Sequence, residues 1–456
     1  MFEKEEKQLN NYKQNIDNQP LPSALDNAIQ NGVLKAKRHN QKKNYLKWST
    51  IAASILLVLM LSTVRVSPTV ASFVSQFPGM NGIVELIHYD KGLSDAVEND
   101  YIIELDVSDL KNGIGFTMDG MIIDETQMIL FYTIENFTNN IDSVILNSLE
   151  LIPENGISGL NAGISFGTLH RDLLEKGSSQ GKINVSFSEE TIIPETLTVK
   201  VGFKIEDESG KELSFPNEEW TVSFDIDHST FIGLKKEYDL TETVFFAGQE
   251  ITFSNVVIYP TRMVIDVKIA KQNSMHLFNF EDLKITNEKG EEWLATTNGV
   301  IASKANDYEW KLYLESNYFH EAEELYLEAS NIRALRKEEV EVIIDLKEKS
   351  IVNGPEGLSI QSLQSRGHKH HVELLLTTED VYDKNRHYNI LSNHMTNENG
   401  DEYRFADGVG SSKMEDESEQ IIMFSIINFE GDYLHLTLSD YPARIKDKMR
   451  IDLLNQ

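Results

Sequence analysis

The sequence predicts a mainly β protein, in which a short helical cytoplasmic tail and a single transmembrane helix precede three tandem immunoglobulin-like β-sandwich domains. Three observations lead to this prediction. One long apolar stretch lies near the N-terminus, hydrophobic residues alternate with a period of two after Tyr101, and the strand pattern recurs along the chain.

The composition limits the possible functions. The chain has 456 residues, a length typical of two to four domains at about 150 residues each. The first 47 residues carry nine Lys and Arg against five Asp and Glu, whereas the remainder carries 33 against 68. An acidic body repels phosphate groups, so we expect no nucleic-acid ligand.

The sequence contains no cysteine. Disulfides, thiol nucleophiles and thiolate metal sites are therefore excluded. Small extracellular domains of eukaryotic proteins commonly contain disulfides, so their absence favours a protein of a Gram-positive bacterium.

The apolar stretch, Trp48–Val64, consists of seventeen uncharged residues. At about 1.5 Å per residue it covers about 26 Å, slightly less than the ~30 Å hydrocarbon core of a bilayer. Lys47 and Arg65 can extend their charged ends into the headgroup regions, and Trp48 lies where an interfacial aromatic residue is expected. We therefore predict a transmembrane helix at residues 48–66.

Two alternatives to a membrane span stay open. A signal peptide normally has a much shorter leader than the 47 residues found here, although Thr69–Ala71 resembles a cleavage site. A buried globular helix normally has a polar face, and this stretch has only scattered Ser and Thr.

The charges around the predicted span indicate its orientation. Only Arg65 and Lys91 follow the span within about thirty residues. Six basic residues crowd just before it: Lys35, Lys37, Arg38, Lys42, Lys43 and Lys47. Because basic residues stay on the cytoplasmic side, we predict a single-pass protein of the cell membrane with its N-terminus in the cytoplasm and its C-terminal region outside.

The cytoplasmic tail, residues 1–47, contains one short amphipathic pattern. Leu25, Ala28, Ile29 and Val33 share one face of a helix that Pro22–Ser23 would open. A helix this short cannot form a domain alone. It could dock on a cytoplasmic partner, lie on the anionic lipid bilayer, or serve only to fix the topology.

Residues 67–100 are predicted to form a juxtamembrane helical stalk. Ser67–Pro68 is typical of a helix start, and Pro78–Gly79 ends that helix. A second helical pattern extends from about Met80 to Val97.

The β-rich remainder shows an internal repeat. The segment "GIGFTMDGMIIDETQMILFYTIE" from Gly113 aligns without a gap with "GQEITFSNVVIYPTRMVIDVKIA" from Gly248, and a fainter third copy follows near Leu358. Each block is predicted to end in an alternating strand, such as the one containing Val342 and Ile344 or the one containing Met449 and Ile451. These patterns predict three β-sandwiches. The predicted sandwiches cover residues 101–228, 229–350 and 351–456.

Few residues suggest chemistry. His368 and His370 would share one face of a strand and are weak candidates for a metal site, but no third ligand lies nearby, so a loop cluster is favoured and no metal or other cofactor is expected. The familiar catalytic motifs are missing from the sequence, which leaves no specific reason to propose an enzyme. Trp293 and Tyr403 are candidate surface contacts, although core or edge packing is favoured for both.

Part of the chain resembles a known family. The segment "SPTVASFVSQFPGMNGIVELIHYDKGLSDAVENDY", Ser67–Tyr101, is similar to the core of the bacterial family named domain of unknown function 4179, and the likeness extends from Trp48 to Asn136. The block from Tyr238 to Asp345, with "GQEITFSNVVIYPTRM", resembles the immunoglobulin-like domain often found behind it.

The resemblance implies a function. Members of that family are typically single-pass membrane proteins of Gram-positive, spore-forming bacteria, often encoded beside an extracytoplasmic-function sigma factor. It therefore implies an anti-sigma or sensor role in which the tail holds the sigma factor. Many anti-sigma factors carry a zinc-binding His/Cys motif in a larger cytoplasmic domain, which this cysteine-free chain lacks.

Two functions from different classes follow. The first is a membrane-anchored extracytoplasmic sensor or regulator of the anti-sigma type, which couples the outer β domains to a cytoplasmic partner. The alternative is a cell-envelope binding or scaffold protein that contacts cell-wall polymer or another surface protein and has an inert tail. An extracellular hydrolase has no motif in its favour.

Overall fold

The computed structural model describes residues 83–454 except 139–140, 155–159, 167–176, 208, 214–218, 296–301, 379, 381–382, 385 and 415–417, together with Lys7, Asn11 and Lys13. Residues 83–454 belong to one compact unit, Pro68–Gln456. The described part is mainly β, which confirms that level of the predicted fold class. The finer immunoglobulin-like assignment stays a prediction.

Several predicted features lie outside the described residues. They are the tail helix with Leu25, Ala28, Ile29 and Val33, the transmembrane helix with its anchors Lys47, Trp48 and Arg65, and the first stalk helix. Within the described part of the chain, no helix combines the length and the apolar character needed to cross a membrane.

The second stalk helix is present as two short helices, α1 (Ile83–Ile87) and α2 (Lys91–Glu98). The break has a local cause, because the carboxylate of Asp90 accepts a hydrogen bond from the backbone N–H of Leu93 at 3.0 Å and thereby begins a new helix. Leu93, Ala96 and Val97 of α2 are buried, so these helices pack into the β body instead of standing free of it.

The first sandwich contains eight strands: β1 (Ile103–Lys111), β2 (Ile114–Ile123), β3 (Gln127–Asn136), β4 (Ser143–Pro153), β5 (Ala162–Phe166), β6 (Ser178–Phe187), β7 (Thr196–Glu206) and β8 (Glu219–Asp225). One sheet has the order β1-β2-β3-β6-β5 and the other β4-β7-β8. Trp220 lies at the centre of their core, fully buried, and its Nε1–H donates to the carbonyl of Ile114 at 2.9 Å.

The second sandwich begins with nine strands: β9 (Lys236–Phe246), β10 (Gln249–Ile258), β11 (Arg262–Ile269), β12 (Met275–Phe280), β13 (Lys284–Asn287), β14 (Glu292–Leu294), β15 (Ala302–Asn306), β16 (Glu309–Glu315) and β17 (Leu325–Arg336). Its sheets have the orders β15-β16-β11-β10-β9 and β12-β17-β13-β14.

The turns that open the aligned segments support the predicted repeat. Asn112–Gly113 joins β1 to β2, and Ala247–Gly248 joins β9 to β10 at the equivalent positions. All four residues have φ between 48° and 79°. Two consecutive positive φ angles are typical of the tight hairpin turns whose twist matches that of the strands, so the two segments share a local conformation as well as a sequence pattern.

The third sandwich also contains nine strands: β18 (Glu341–Asp345), β19 (Ser350–Asn353), β20 (Leu358–Arg366), β21 (Lys369–Thr377), β22 (Leu391–Asn397), β23 (Glu402–Tyr403), β24 (Val409–Lys413), β25 (Glu419–Ile426) and β26 (Tyr433–Leu438). Its sheets have the orders β19-β18-β26-β22-β23 and β20-β21-β25-β24.

The last strand of the chain, β27 (Arg444–Asp452), leaves the third sandwich and pairs with β17 of the second. Met449 and Ile451 lie in the core of the second sandwich, and Val342 and Ile344 of β18 lie in the core of the third. The predicted division into 229–350 and 351–456 therefore differs from the structure in two places: β18 belongs to the third sandwich instead of the second, and β27 belongs to the second instead of the third. Alternation fixes which face of a strand is buried but not which sheet the strand joins.

This exchange of strands makes the third sandwich an insertion in the second. Arg333 of β17 pairs with Arg444 of β27, so the chain leaves and re-enters the second sandwich at neighbouring positions. Charged side chains tie the two together there: Arg333 donates to both carboxylate oxygens of Asp440, at 2.8 and 3.0 Å, and the guanidinium of Arg444 lies between Glu281 and Asp383.

The position of β27 predicts where a truncated side chain in it will act. Ile451→Ala should lower the free energy of unfolding of the second sandwich by about 2–5 kcal/mol, because it leaves a cavity in that core. Hydrogen exchange should rise at the amides of β17, whereas the control Leu436→Ala, in β26, should raise it in the third sandwich. Faster exchange confined to β18 and β26 in the Ile451 variant would instead support the division predicted from sequence.

Candidate functional site at the joint of the helices and the first two sandwiches

The helices α1 and α2 cover the outer face of the first sandwich. Three side chains that point outward from β2 and β3, those of Ile122, Ile129 and Phe131, form a buried cluster with five residues of the helices. The helical members are Ile83, Ile87, Leu93, Ala96 and Val97. Covering on both sides explains why β2 and β3 are buried along nearly their whole length rather than at every second residue.

Helix α2 also contacts the second sandwich. Gly92 lies so close to Ser316, the residue after β16, that a Cβ on Gly92 would come within 2.4 Å of the Ser316 backbone nitrogen. One turn later Asp95 forms an ion pair with Nε2 of His320 at 2.9 Å. The ammonium of Lys91 lies 3.7 Å from the ring centre of the buried Trp293. Helix α2 is therefore held between two sandwiches.

A buried carboxylate joins the two sandwiches directly. Asp124, in the turn between β2 and β3, is fully buried. Its Oδ1 accepts from the backbone and hydroxyl of Thr126 at 2.8 and 2.7 Å, and its Oδ2 accepts from the backbone and hydroxyl of Thr261 at 2.9 and 2.5 Å. With a further donor from the backbone of Gln127 at 3.1 Å, the lone pairs of this carboxylate are satisfied without water.

The same contact is nearly reciprocal. Thr126 and Thr261 occupy equivalent positions in the repeat, as do Gln127 and Arg262. Nε2 of Gln127 donates to the hydroxyl of Thr261 at 2.8 Å, and Nε of Arg262 donates to the hydroxyl of Thr126 at 2.9 Å. Two equivalent turns thus face each other. We call this region, made of α1, α2, the turns 124–127 and 259–262, and the segment 315–320, the joint.

Glu315 is an acid of the joint whose pKa is strongly perturbed. It ends β16, is 4% exposed, and its Oε2 accepts from the backbone N–H of Leu294 at 3.0 Å. Burial, and then the negative charge of Asp90, raise the pKa of Glu315 to about 7, while Lys91 opposes the rise.

The pKa of His320 is also raised. Its ion pair with Asp95 raises the pKa of the imidazole above 6.5, and burial opposes the rise. A cavity of about 620 Å³ lies beside it, lined in part by Asn317, Glu288 and Lys236. The joint therefore contains two groups whose pKa values are raised, so that both keep their protons to a higher pH than usual.

The two histidines proposed as weak metal candidates are accounted for by packing. His370, on β21, is buried beside Ser365, and its ring packs edge-on against Phe429. His368 precedes the strand, so the two do not share its face, and its Nδ1–H donates to the carbonyl of Phe429 at 3.2 Å. Among the residues that the structure describes, no three His, Asp or Glu side chains are placed to hold a metal ion.

The two aromatic residues considered as surface contacts are packed against neighbours. Trp293 is fully buried under Lys91, and the ring of Tyr403 packs against Phe429 at 4.7 Å between centroids.

Sequence reasoning missed Asp124, Glu315 and His320 as joint residues. The one available signal was the alignment of Thr126 with Thr261, which placed two turns in equivalent positions but did not indicate that they touch.

Family models match two parts of the chain. Residues 41–136 match the model described as Domain of unknown function (DUF4179). The resemblance recognised in the sequence is confirmed. Residues 235–361 match the model described as Family of unknown function (DUF5643). The first match contains α1, α2 and the turn 124–127, and the second contains the turn 259–262 and the segment 315–320, so the joint lies where the two matched regions meet.

Solved structures show only distant likeness. A conserved domain protein from Bacillus anthracis is 15% identical over 55% of this chain and 84% of its own, with a TM-score of 0.38. An alpha-L-rhamnosidase from Dictyoglumus thermophilum is 9% identical over 73% of this chain and 46% of its own, with a TM-score of 0.12. The comparison with curated proteins found no match.

The close approach at Gly92 predicts a specific effect. Gly92→Ala should force α2 away from Ser316, because the obstructing atoms belong to the backbone and cannot rotate aside. We expect faster hydrogen exchange and new protease cleavage within residues 91–98, with the core of the third sandwich unchanged.

A matched control is Gly410→Ala on β24, where an added Cβ would meet its nearest neighbour at 3.8 Å and fit without strain. Equal protection of α2 in wild type and the Gly92 variant would show that α2 does not depend on this contact.

Proposed function

We propose that this chain is a membrane-anchored regulator of the anti-sigma type. Residues 48–66 cross the membrane, residues 1–47 lie in the cytoplasm and the three sandwiches lie outside. The crowding of Lys and Arg before the apolar stretch supports this orientation. The match of residues 41–136 to one family model supports treating the apolar stretch, the helices and the first hairpin as one unit.

The observation that carries the proposal is the packing of α2 in the joint. Helix α2, which ends shortly before the first strand, does not hang free, because Leu93, Ala96 and Val97 are buried and Gly92 touches the second sandwich. A rearrangement of either sandwich therefore moves the segment that leads to the membrane. A loose linker would absorb such a movement instead of transmitting it.

On the cytoplasmic side, the apolar face of Leu25, Ala28, Ile29 and Val33 is the proposed binding surface. An amphipathic helix of this length gains stability when it docks in an apolar groove of a partner. The family resemblance implies that the partner is an extracytoplasmic-function sigma factor. The sandwiches would bind the signal outside, either cell-wall polymer or another surface protein.

The tail gives the decisive experiment. Ile29→Asp places a charge on the apolar face and should reduce co-purification of the full-length protein with the sigma factor encoded beside it at least tenfold, with a rise in transcription from that sigma factor's promoter. Asn27→Asp adds the same charge on the opposite face and should leave both unchanged. If neither variant alters binding or transcription, the tail is inert and the envelope scaffold is the better account.

Topology is tested separately. The chain contains no cysteine, so a single introduced thiol reacts without background. An impermeant maleimide added to intact cells should label Ser209→Cys, which is exposed on the first sandwich, and should label Ser23→Cys only after lysis. The reverse pattern would contradict the orientation.

A further inference from the structure

We propose that the joint is a proton-operated latch, in which Glu315 and His320 take up protons when α2 docks on the second sandwich, so that acid outside the cell tightens the joint and alkali loosens it. This inference concerns only the residues that the structure describes, and the pH-dependent docking of α2 does not depend on the proposed function. Its use in signalling rests on the proposed function.

Glu315 is placed so that docking brings negative charges together. Asp90 and Lys91, at the start of α2, both face its carboxyl group, and Lys182 of β6 interacts with the same Asp90. The ammonium of Lys182 also donates to the carbonyl of Leu86 at 2.7 Å, in α1. When the joint opens, Glu315 regains water and loses Asp90 as a neighbour, and both changes favour its ionised form.

The sign of the effect follows from the two states. In the docked state the pKa of Glu315 is about 7, whereas its ordinary value is 4.5. Between pH 4.5 and about pH 7, Glu315 therefore takes up a proton when α2 docks. The stabilisation from this group is complete below about pH 4.5 and is lost as the pH rises through about 7.

His320 contributes with the same sign. In the docked state the Nε2 of His320 lies 2.9 Å from the carboxylate of Asp95 of α2, Lys91 and Glu291 act on it with opposite charges, and Trp293 packs edge-on at 5.3 Å. Opening removes Asp95, which returns the pKa of the imidazole toward 6.5. Docking therefore favours the imidazolium, and this contribution is also lost as the pH rises through the docked value.

Both protons stabilise the same contact, and solvent can reach the site of one of them, His320. Glu315 and His320 lie in one short segment, 315–320, that faces α2. The cavity of about 620 Å³ is lined by His320 itself, which gives the imidazole a route for proton exchange. Because the two groups titrate in the same direction, their effects on docking add.

A second histidine–carboxylate pair in the described chain provides a comparison. His435 of β26 lies 2.8 Å from Glu341 of β18, but the two strands pair directly in one sheet of the third sandwich. This contact therefore lies within a single domain. A change in the charge of this pair should not affect the joint, so a variant of Glu341 serves as the control.

The test uses the full-length protein in lipid nanodiscs. Hydrogen exchange at the amides of residues 93–97, corrected for the intrinsic rate, should give protection that falls at least tenfold between pH 6.0 and 8.5. A single group with a docked pKa of about 7 accounts for about tenfold over this interval, and His320 adds to it.

The variants separate the two groups from general pH effects. Glu315→Gln cannot lose a proton and should keep α2 protected at pH 8.5, and Asp95→Asn should reduce the remaining slope. Glu341→Gln should follow the wild-type profile. Constant protection of wild-type α2 from pH 6.0 to 8.5, or an unchanged slope in the Glu315 variant, would overturn the latch.

The latch and the proposed function fail in different ways. An inert tail would leave the pH dependence of α2 intact. An absent latch would leave binding of the tail to its partner intact.

Discussion

The structure depends on the double burial of helix α2. One side of the helix covers Ile122, Ile129 and Phe131 of the first sandwich, and Gly92 and Asp95 contact the second. Without α2, the first sandwich would expose an apolar face, which favours association with other surfaces. The helix thus completes one domain and positions the next.

The polar contacts of the joint specify its arrangement more than they stabilise it. Asp124 is fully buried, and five donors from two domains are needed to satisfy its carboxylate. Any displacement of the turn 259–262 removes the hydrogen bonds that Thr261 donates to Asp124. The carboxylate would then be buried with too few partners, which is energetically unfavourable. Such a contact tolerates few intermediate positions, so the joint is suited to two discrete states rather than gradual bending.

The sequence predicted the local structure of the sandwiches because strand alternation is local. Leu197, Val199 and Val201 of β7, for example, alternate with polar residues and are buried. It did not predict the partner of β27, because Met449 and Ile451 carry the same pattern in either sheet. It did not predict the joint either, since Glu315 and His320 acquire their properties from Asp90 and Asp95, more than 200 residues away in the chain.

The proximity of Lys91 and Glu291 tests the central claim most directly. Their ammonium and carboxylate groups lie 3.9 Å apart, one on α2 and one beside β14 of the second sandwich. Zero-length carbodiimide cross-linking of the full-length protein should join them, as it should join Lys284 to Glu292 within the second sandwich. Recovery of the Lys284–Glu292 peptide pair without the Lys91–Glu291 pair would contradict the docking of α2 and the coupling built on it.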